Sequence, residues 1–271
     1  MSFDLEELRV DPSDKVNLSK IDPSSTPSFD GGKKEGQARL EQLNQKLESL
    51  QELLWAEGKN RVLVVLQAMD AGGKDGTIRH VFDGVNPSGV KVAAFKKPSE
   101  KELSRDYLWR AHAEVPADGE LVIFNRSHYE DVLVVRVLEL VPKEQWQRRY
   151  NHIVDFEQML SDEGTTIVKI YLHISKDEQK ERLQARLDEP DKNWKFEVGD
   201  LETRKHWDAY QEAFEDTLSQ TSTSDSPWFI VPANRKWYRN IAVSEILVQT
   251  LERLKMTYPE PEEGLEDVAI P

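Results

Sequence analysis

The chain has 271 residues, 38% of them hydrophobic and 32% charged, with no cysteine and a formal net charge of −14. This apolar content excludes a disordered chain, and the lack of cysteine excludes disulfides and thiolate metal sites. No apolar run approaches the roughly 18 residues that span a bilayer and the acidic Met1–Val10 stretch is unlike a signal peptide, so a cytoplasmic protein with no membrane partner is expected.

Residues 1–34 are polar and rich in Pro, Ser, Asp and Gly, as expected of an extended N-terminal arm. Leu40, Leu43, Leu47, Leu50 and Leu54 recur at spacings of 3 and 4 and predict an amphipathic helix over 36–57. Its leucine face either packs on its own domain or joins a second copy of the chain.

Strand and helix patterns then alternate. Val62–Leu66 is a β-branched run suited to a strand buried on both faces. Asn86-Pro87-Ser88-Gly89 marks a turn before a second strand, Val90–Phe95. Ser99 and Glu102 have capping-box spacing and open a helix over 99–113. Leu121–Phe124 is a third strand, followed by helices at 131–140 and 143–160. Thr166–Ile174 is a fourth strand with a helix over 176–187; residues 188–200 are charged, weakly periodic and suited to a mobile insertion. Trp228–Val231 is a fifth strand before a closing helix over 235–256, and residues 257–271 form an acidic tail. The alternation predicts an α/β protein with a five-stranded parallel sheet covered on both faces, in a single domain over 35–256.

The loop after the first strand carries the chemistry. Ala68-Met69-Asp70-Ala71-Gly72-Gly73-Lys74-Asp75-Gly76-Thr77 joins a strand to a helix. Glycines there let backbone N–H groups turn toward an anion, and the helix dipole favours negative charge. Ala71, Gly72, Gly73, Gly76 and Thr77 are the candidate phosphate cradle, with Lys74 at the outer phosphates. The simple P-loop pattern is not met, since Ala68 and Asp75 stand where Gly and Ser/Thr belong. Asp70 would repel a phosphate unless it holds a metal ion or activates the attacking group.

Charge is uneven. Residues 1–30 carry seven acids and three bases, and 257–271 five acids and no base, whereas 91–110 carry six bases against three acids. Lys96, Lys97, Arg105 and Arg110 are therefore candidate contacts for a polyanion. Arg126 follows the third strand, at the edge where α/β sheets bind ligands. Arg182 and Arg186 share a helix face, a spacing suited to bidentate phosphate clamping. No nucleic-acid motif is present.

The loop resembles that of the polyphosphate kinase 2 family. So do Phe124-Asn125-Arg126-Ser127-His128-Tyr129, Leu108-Trp109-Arg110, Trp194-Lys195-Phe196 and Pro227-Trp228 through Pro232 running into Lys236. The resemblance covers about 35–256. It implies a P-loop kinase-like three-layer α/β/α fold with a helical lid near 180–200, carrying Lys192 and Lys195. It implies transfer of the terminal phosphoryl group of inorganic polyphosphate to adenine or guanine nucleotides, with Mg²⁺ or Mn²⁺, by a homo-oligomer. Asp70, Lys74, Arg126, Arg182 and Arg186 would be catalytic, and Arg126 and Glu130 would meet the nucleotide acceptor. Asn125 replaces the family's usual Asp, so Asp70, Asn125 and Asp131 form the expected metal set. The run His128-Tyr129-Glu130-Asp131 resembles the subgroup that accepts both mono- and diphosphates. An ATP-dependent nucleoside monophosphate kinase and a non-catalytic polyphosphate- or nucleotide-binding protein remain alternatives.

Overall fold

The computed structural model describes residues 3–264, 268 and 270; the acidic stretch expected over 257–271 lies partly outside the described residues. Strands β1 (Arg9–Val10), β2 (Arg61–Ala68), β3 (Val90–Ala94), β4 (Leu121–Asn125), β5 (Thr165–His173) and β6 (Trp228–Pro232) form one sheet in the order β1-β6-β5-β2-β4-β3. The five expected strands are all present and pair in parallel. The sixth comes from the N-terminal segment, where Arg9 and Val10 pair antiparallel with Phe229 and Trp228. Phe3, Leu5, Leu8, Val10 and Leu18 are buried, so this segment is docked on the domain rather than projecting as a free arm. Its apolar residues are too sparse for a periodic signal.

β2 is central. Every residue from Val62 to Ala68 is buried, which explains the uninterrupted apolar run Val62–Leu66, because helices cover both faces of the sheet. Each such side chain contributes about 1.5–3 kcal/mol on full burial. The long helix α1 (Lys33–Glu57) places Leu43, Leu47 and Leu54 in this core and packs along the closing helix, so this part of its leucine face is used within the chain.

α2 (Lys74–Val81) starts directly after the glycine-rich loop. The helix expected over 99–113 is instead two single turns, α3 (Glu100–Leu103) and α4 (Trp109–His112). Ser99 and Glu102 form the capping box of α3. The Asp106 carboxylate accepts from the N–H groups of Leu108 and Trp109 and starts a new turn, which is why the helix breaks. The helix expected over 131–140 is likewise a 3₁₀ turn (His128–Asp131) and a short α5 (Val134–Val137).

α6 (Lys143–Asp162) and α7 (Lys176–Asp188) follow the expectation. The charged insertion is helical, as a 3₁₀ turn (Pro190–Lys195) and α8 (Val198–Lys205). α9 (Trp207–Thr221) was not anticipated, although Trp207, Tyr210, Phe214 and Leu218 line its buried face. α10 (Lys236–Arg253) closes the fold. Among the described residues no helix is long and apolar enough to cross a membrane.

Candidate active site

The site forms at the carboxyl ends of β2 and β4, neighbours in the sheet. The loop leaving β2 turns through Ala71 and Gly73, whose φ values are 58° and 102°. A Cβ on Gly72 would lie 2.5 Å from the Ala68 Cβ and 2.7 Å from the Met69 carbonyl, so only glycine fits that turn. Thr77 spends its hydroxyl on the Gly73 carbonyl (3.0 Å), bracing the helix start.

Lys74 curls back over the loop and donates to the Ala68 carbonyl at 2.9 Å. Burial, then the Arg126 charge, lowers its ammonium to about 8, against the opposing pull of Asp70, Glu130 and Asp75. Arg126, the residue after β4, has φ 61°, an uncommon conformation for arginine that marks a constrained position. Its Nη2 lies 2.7 Å from Asp70 Oδ1 and its Nη1 3.8 Å from Glu130 Oε2. Glu130, then Asp70, holds the guanidinium above its ordinary pKa against burial. Gln67 on β2 donates to Glu130 Oε1 at 3.2 Å, fixing that carboxylate over the strand ends. Asn125 donates to Asp75 Oδ1 at 2.7 Å. Asp70, Lys74, Arg126 and Glu130 thus form one cluster.

Other expected site residues are engaged elsewhere. Arg182 pairs with Glu178 at 2.7 Å and donates to the carbonyls of Ala71, Gly72 and Ala233 at 3.1, 2.9 and 2.5 Å, so it braces the loop from behind. Arg186 bonds Asp200 (2.9 Å) and the Lys195 carbonyl (3.1 Å), tying α7 to the following segment. Lys192 pairs with Glu189, and Lys195 lies over the ring of Trp194, which is 78% exposed.

Arg110 stacks on Phe95 and donates to the Lys96 carbonyl, whereas Arg105 stacks on Trp109. Lys96 and Lys97 are exposed just past β3, at the same sheet edge as the loop. Of the expected metal set, Asp131 is held by an arginine of its own. Its carboxylate lies 2.9 Å from Arg149 of α6, and burial raises it to about 6 despite that arginine. Asp75, not Asp131, is among the acids acting on Lys74.

Several site residues escaped the sequence reading. Asp200 of α8 and Tyr210 of α9 lie near Asp70 and Arg126. The Gln179 amide holds the Asp70 carbonyl at 2.9 Å. Arg239 of α10 sits against Gly73 and Gly76. None belongs to a local motif; only the tertiary fold brings them to the loop.

A hard divalent cation fits this donor set. Asp70 commits one oxygen to Arg126, and its other oxygen makes no hydrogen bond among the described residues. No cluster of three or more His, Asp or Glu side chains is preformed among the described residues.

A glycine-rich strand–loop–helix with a lysine at the helix start, an arginine directly after the adjacent strand, a carboxylate in the turn beyond it, and helices over both sheet faces define a P-loop kinase. The family model of polyphosphate kinase 2 matches residues 31–259. The chain belongs to the polyphosphate kinase 2 family. It is 62% identical to an AMP/ADP-polyphosphate phosphotransferase of Meiothermus ruber, over 98% of this chain and 100% of that one. It is 46% identical to an ADP-polyphosphate phosphotransferase of Rhodopseudomonas palustris, covering 96% and 94% of the two chains. The crystal structure of polyphosphate kinase 2 from Arthrobacter aurescens superposes with a TM-score of 0.93 at 45% identity, covering 97% and 93%.

Proposed function

We propose that this chain is a Mg²⁺-dependent polyphosphate:nucleotide phosphotransferase, acting in the cytoplasm as a homo-oligomer on both nucleoside mono- and diphosphates. An acceptor phosphate oxygen attacks the terminal phosphorus of polyphosphate, the bridging P–O bond breaks, and the shortened chain leaves with the electron pair. Such a reaction asks the protein for positioning and charge stabilisation. The glycine-rich loop and Lys74 bind the phosphoryl group in flight. Arg126 receives the acceptor phosphate, with Glu130 beside it. Asp70, Asn125 and Asp131 would hold Mg²⁺, which would neutralise charge on the phosphate oxygens. The segment near 180–200 acts as a lid that excludes water.

The observation that carries this reading is the Asp70–Arg126 pair. It puts a carboxylate inside a phosphate loop and an arginine opposite it, where a metal and an acceptor phosphate would each take one partner. The full-length likeness to the Meiothermus ruber enzyme supports the choice of substrates.

The test is product formation from AMP and from ADP with Mg²⁺ and long-chain polyphosphate, and from AMP with ATP. Turnover of both acceptors with polyphosphate is expected. Turnover from ATP alone would make the chain a conventional nucleoside monophosphate kinase, and none from either donor would make it a binding protein.

A further inference from the structure

Arg239, in the first turn of α10, is only 2% exposed. Its Nε and Nη2 both donate to the side-chain oxygen of its neighbour Asn240, at 3.1 and 2.7 Å. Its Nη1 makes no hydrogen bond, and no carboxylate pairs with it, among the described residues. The surroundings make the charge worse. Burial and then the Arg182 charge bring the guanidinium down to about 9. The first turn of a helix is the positive end of its dipole, unfavourable for a cation. Lys236 lies in the same turn and feels both Arg182 and Arg239.

A buried cation without a counter-charge is costly, and native proteins pair such groups or present them to a ligand. The geometry shows where this one is presented. A Cβ built on Gly73 would lie 2.1 Å from Arg239 Nη1 and 3.3 Å from Arg182 Nη1, so both guanidinium groups converge on that glycine. A Cβ on Gly76 would lie 3.5 Å from Arg239 Nη2. The missing side chain of Gly73 therefore leaves room for a guanidinium against the loop that begins α2, beside Lys74.

We infer that Arg239 is a positioning residue for the phosphoryl donor: acting through Gly73, it supplies the fixed positive charge that makes the loop selective for a polyanion, whose phosphates are its counter-ion. The inference rests on the polyphosphate reading above and adds to it a residue of the closing helix. Arg182 shares this role but is partly neutralised by Glu178; Arg239 has no such relief.

The test uses the full chain, with tripolyphosphate as probe, in wild type, Arg239→Met and Arg239→Lys. Thermal unfolding is measured with and without the probe, and KM is measured separately for polyphosphate and for nucleotide. In Arg239→Met the unliganded midpoint should stay the same or rise, because an unpaired buried charge has been removed. Its probe-induced shift should shrink, and KM for polyphosphate should rise about tenfold with KM for nucleotide unchanged. Arg239→Lys should restore much of the shift. A lower unliganded midpoint with a normal probe-induced shift, or equal changes in both KM values, would overturn the inference and leave a structural arginine. Should Arg239→Met not fold, Arg239→Gln takes its place: a probe-induced shift smaller than that of wild type supports the inference, and one identical to wild type overturns it. A wild-type chain that does not respond to the probe would instead overturn the polyphosphate reading.

Discussion

Arg126 Nη2 lies 2.7 Å from Asp70 Oδ1, so a cation at the end of β4 and an anion in the loop after β2 neutralise each other across the site. An acceptor phosphate and a divalent cation would separate them, each taking one partner. Asp70→Asn should therefore lower turnover by at least about a hundredfold, the scale of losing one preorganised electrostatic group. The protein should stay folded by circular dichroism, because the pair is partly exposed. Near-normal turnover would remove Asp70 from the chemistry.

Lys74 links activity to pH. Its ammonium is lowered to about 8, so the cationic form that meets phosphate is lost as pH rises through that value. Calorimetric titration with tripolyphosphate in metal-free buffer should show an affinity constant below pH 8, falling up to about tenfold per pH unit above it. Lys74→Arg should flatten the profile, because guanidinium does not titrate there. A wild-type profile that stays flat to pH 10 would contradict this assignment.

Glu130 is held by Gln67 at 3.2 Å and faces Arg126. A negative charge there opposes a second phosphate more than a first, so Glu130→Asn should raise the kcat/KM ratio for ADP over AMP, by about fivefold. Parallel steady-state assays with the two acceptors measure it, and an unchanged ratio removes Glu130 from acceptor choice.

Gly73 combines φ 102° with a neighbour that leaves no room for a side chain. Gly73→Ala should lower stability by about 1–3 kcal/mol from backbone strain alone and should displace Arg239. Denaturant unfolding reads the first effect and tripolyphosphate affinity the second.

Behind the site, Lys169 Nζ lies 2.6 Å from Glu157 Oε2, both fully buried, and Glu157 also meets His128 and Tyr129. Burial pushes the Glu157 carboxyl up, but Lys169 and His128 outweigh it and hold it below its ordinary value. Lys169→Met should cost about 3–5 kcal/mol by stranding a carboxylate. Lys169→Met with Glu157→Gln should recover part of that loss in chemical denaturation.

The parts legible in the sequence are those whose signal is local. The buried run of β2, the loop and helix after it, and Arg126 directly after β4 could each be read from neighbouring residues. The N-terminal β1 could not, because two paired residues carry no periodicity. The helix over 99–113 was misread because a side-chain cap at Asp106 overrode the pattern. Arg239 carries no signal in the sequence because its partner loop lies more than 160 residues earlier.

The pairing of Arg9 with Phe229 has a bearing on how the protein is made. During synthesis the apolar residues in and around the first strand leave the ribosome some 220 residues ahead of the strand it pairs with. Until that strand emerges they have no docking surface, so the sheet reaches its full width only late in translation. Such long-range closure is slow and leaves unpaired edges open to misassociation. This segment is thus among the last seams to be sewn, although its thread is drawn out well before that of the strand it joins.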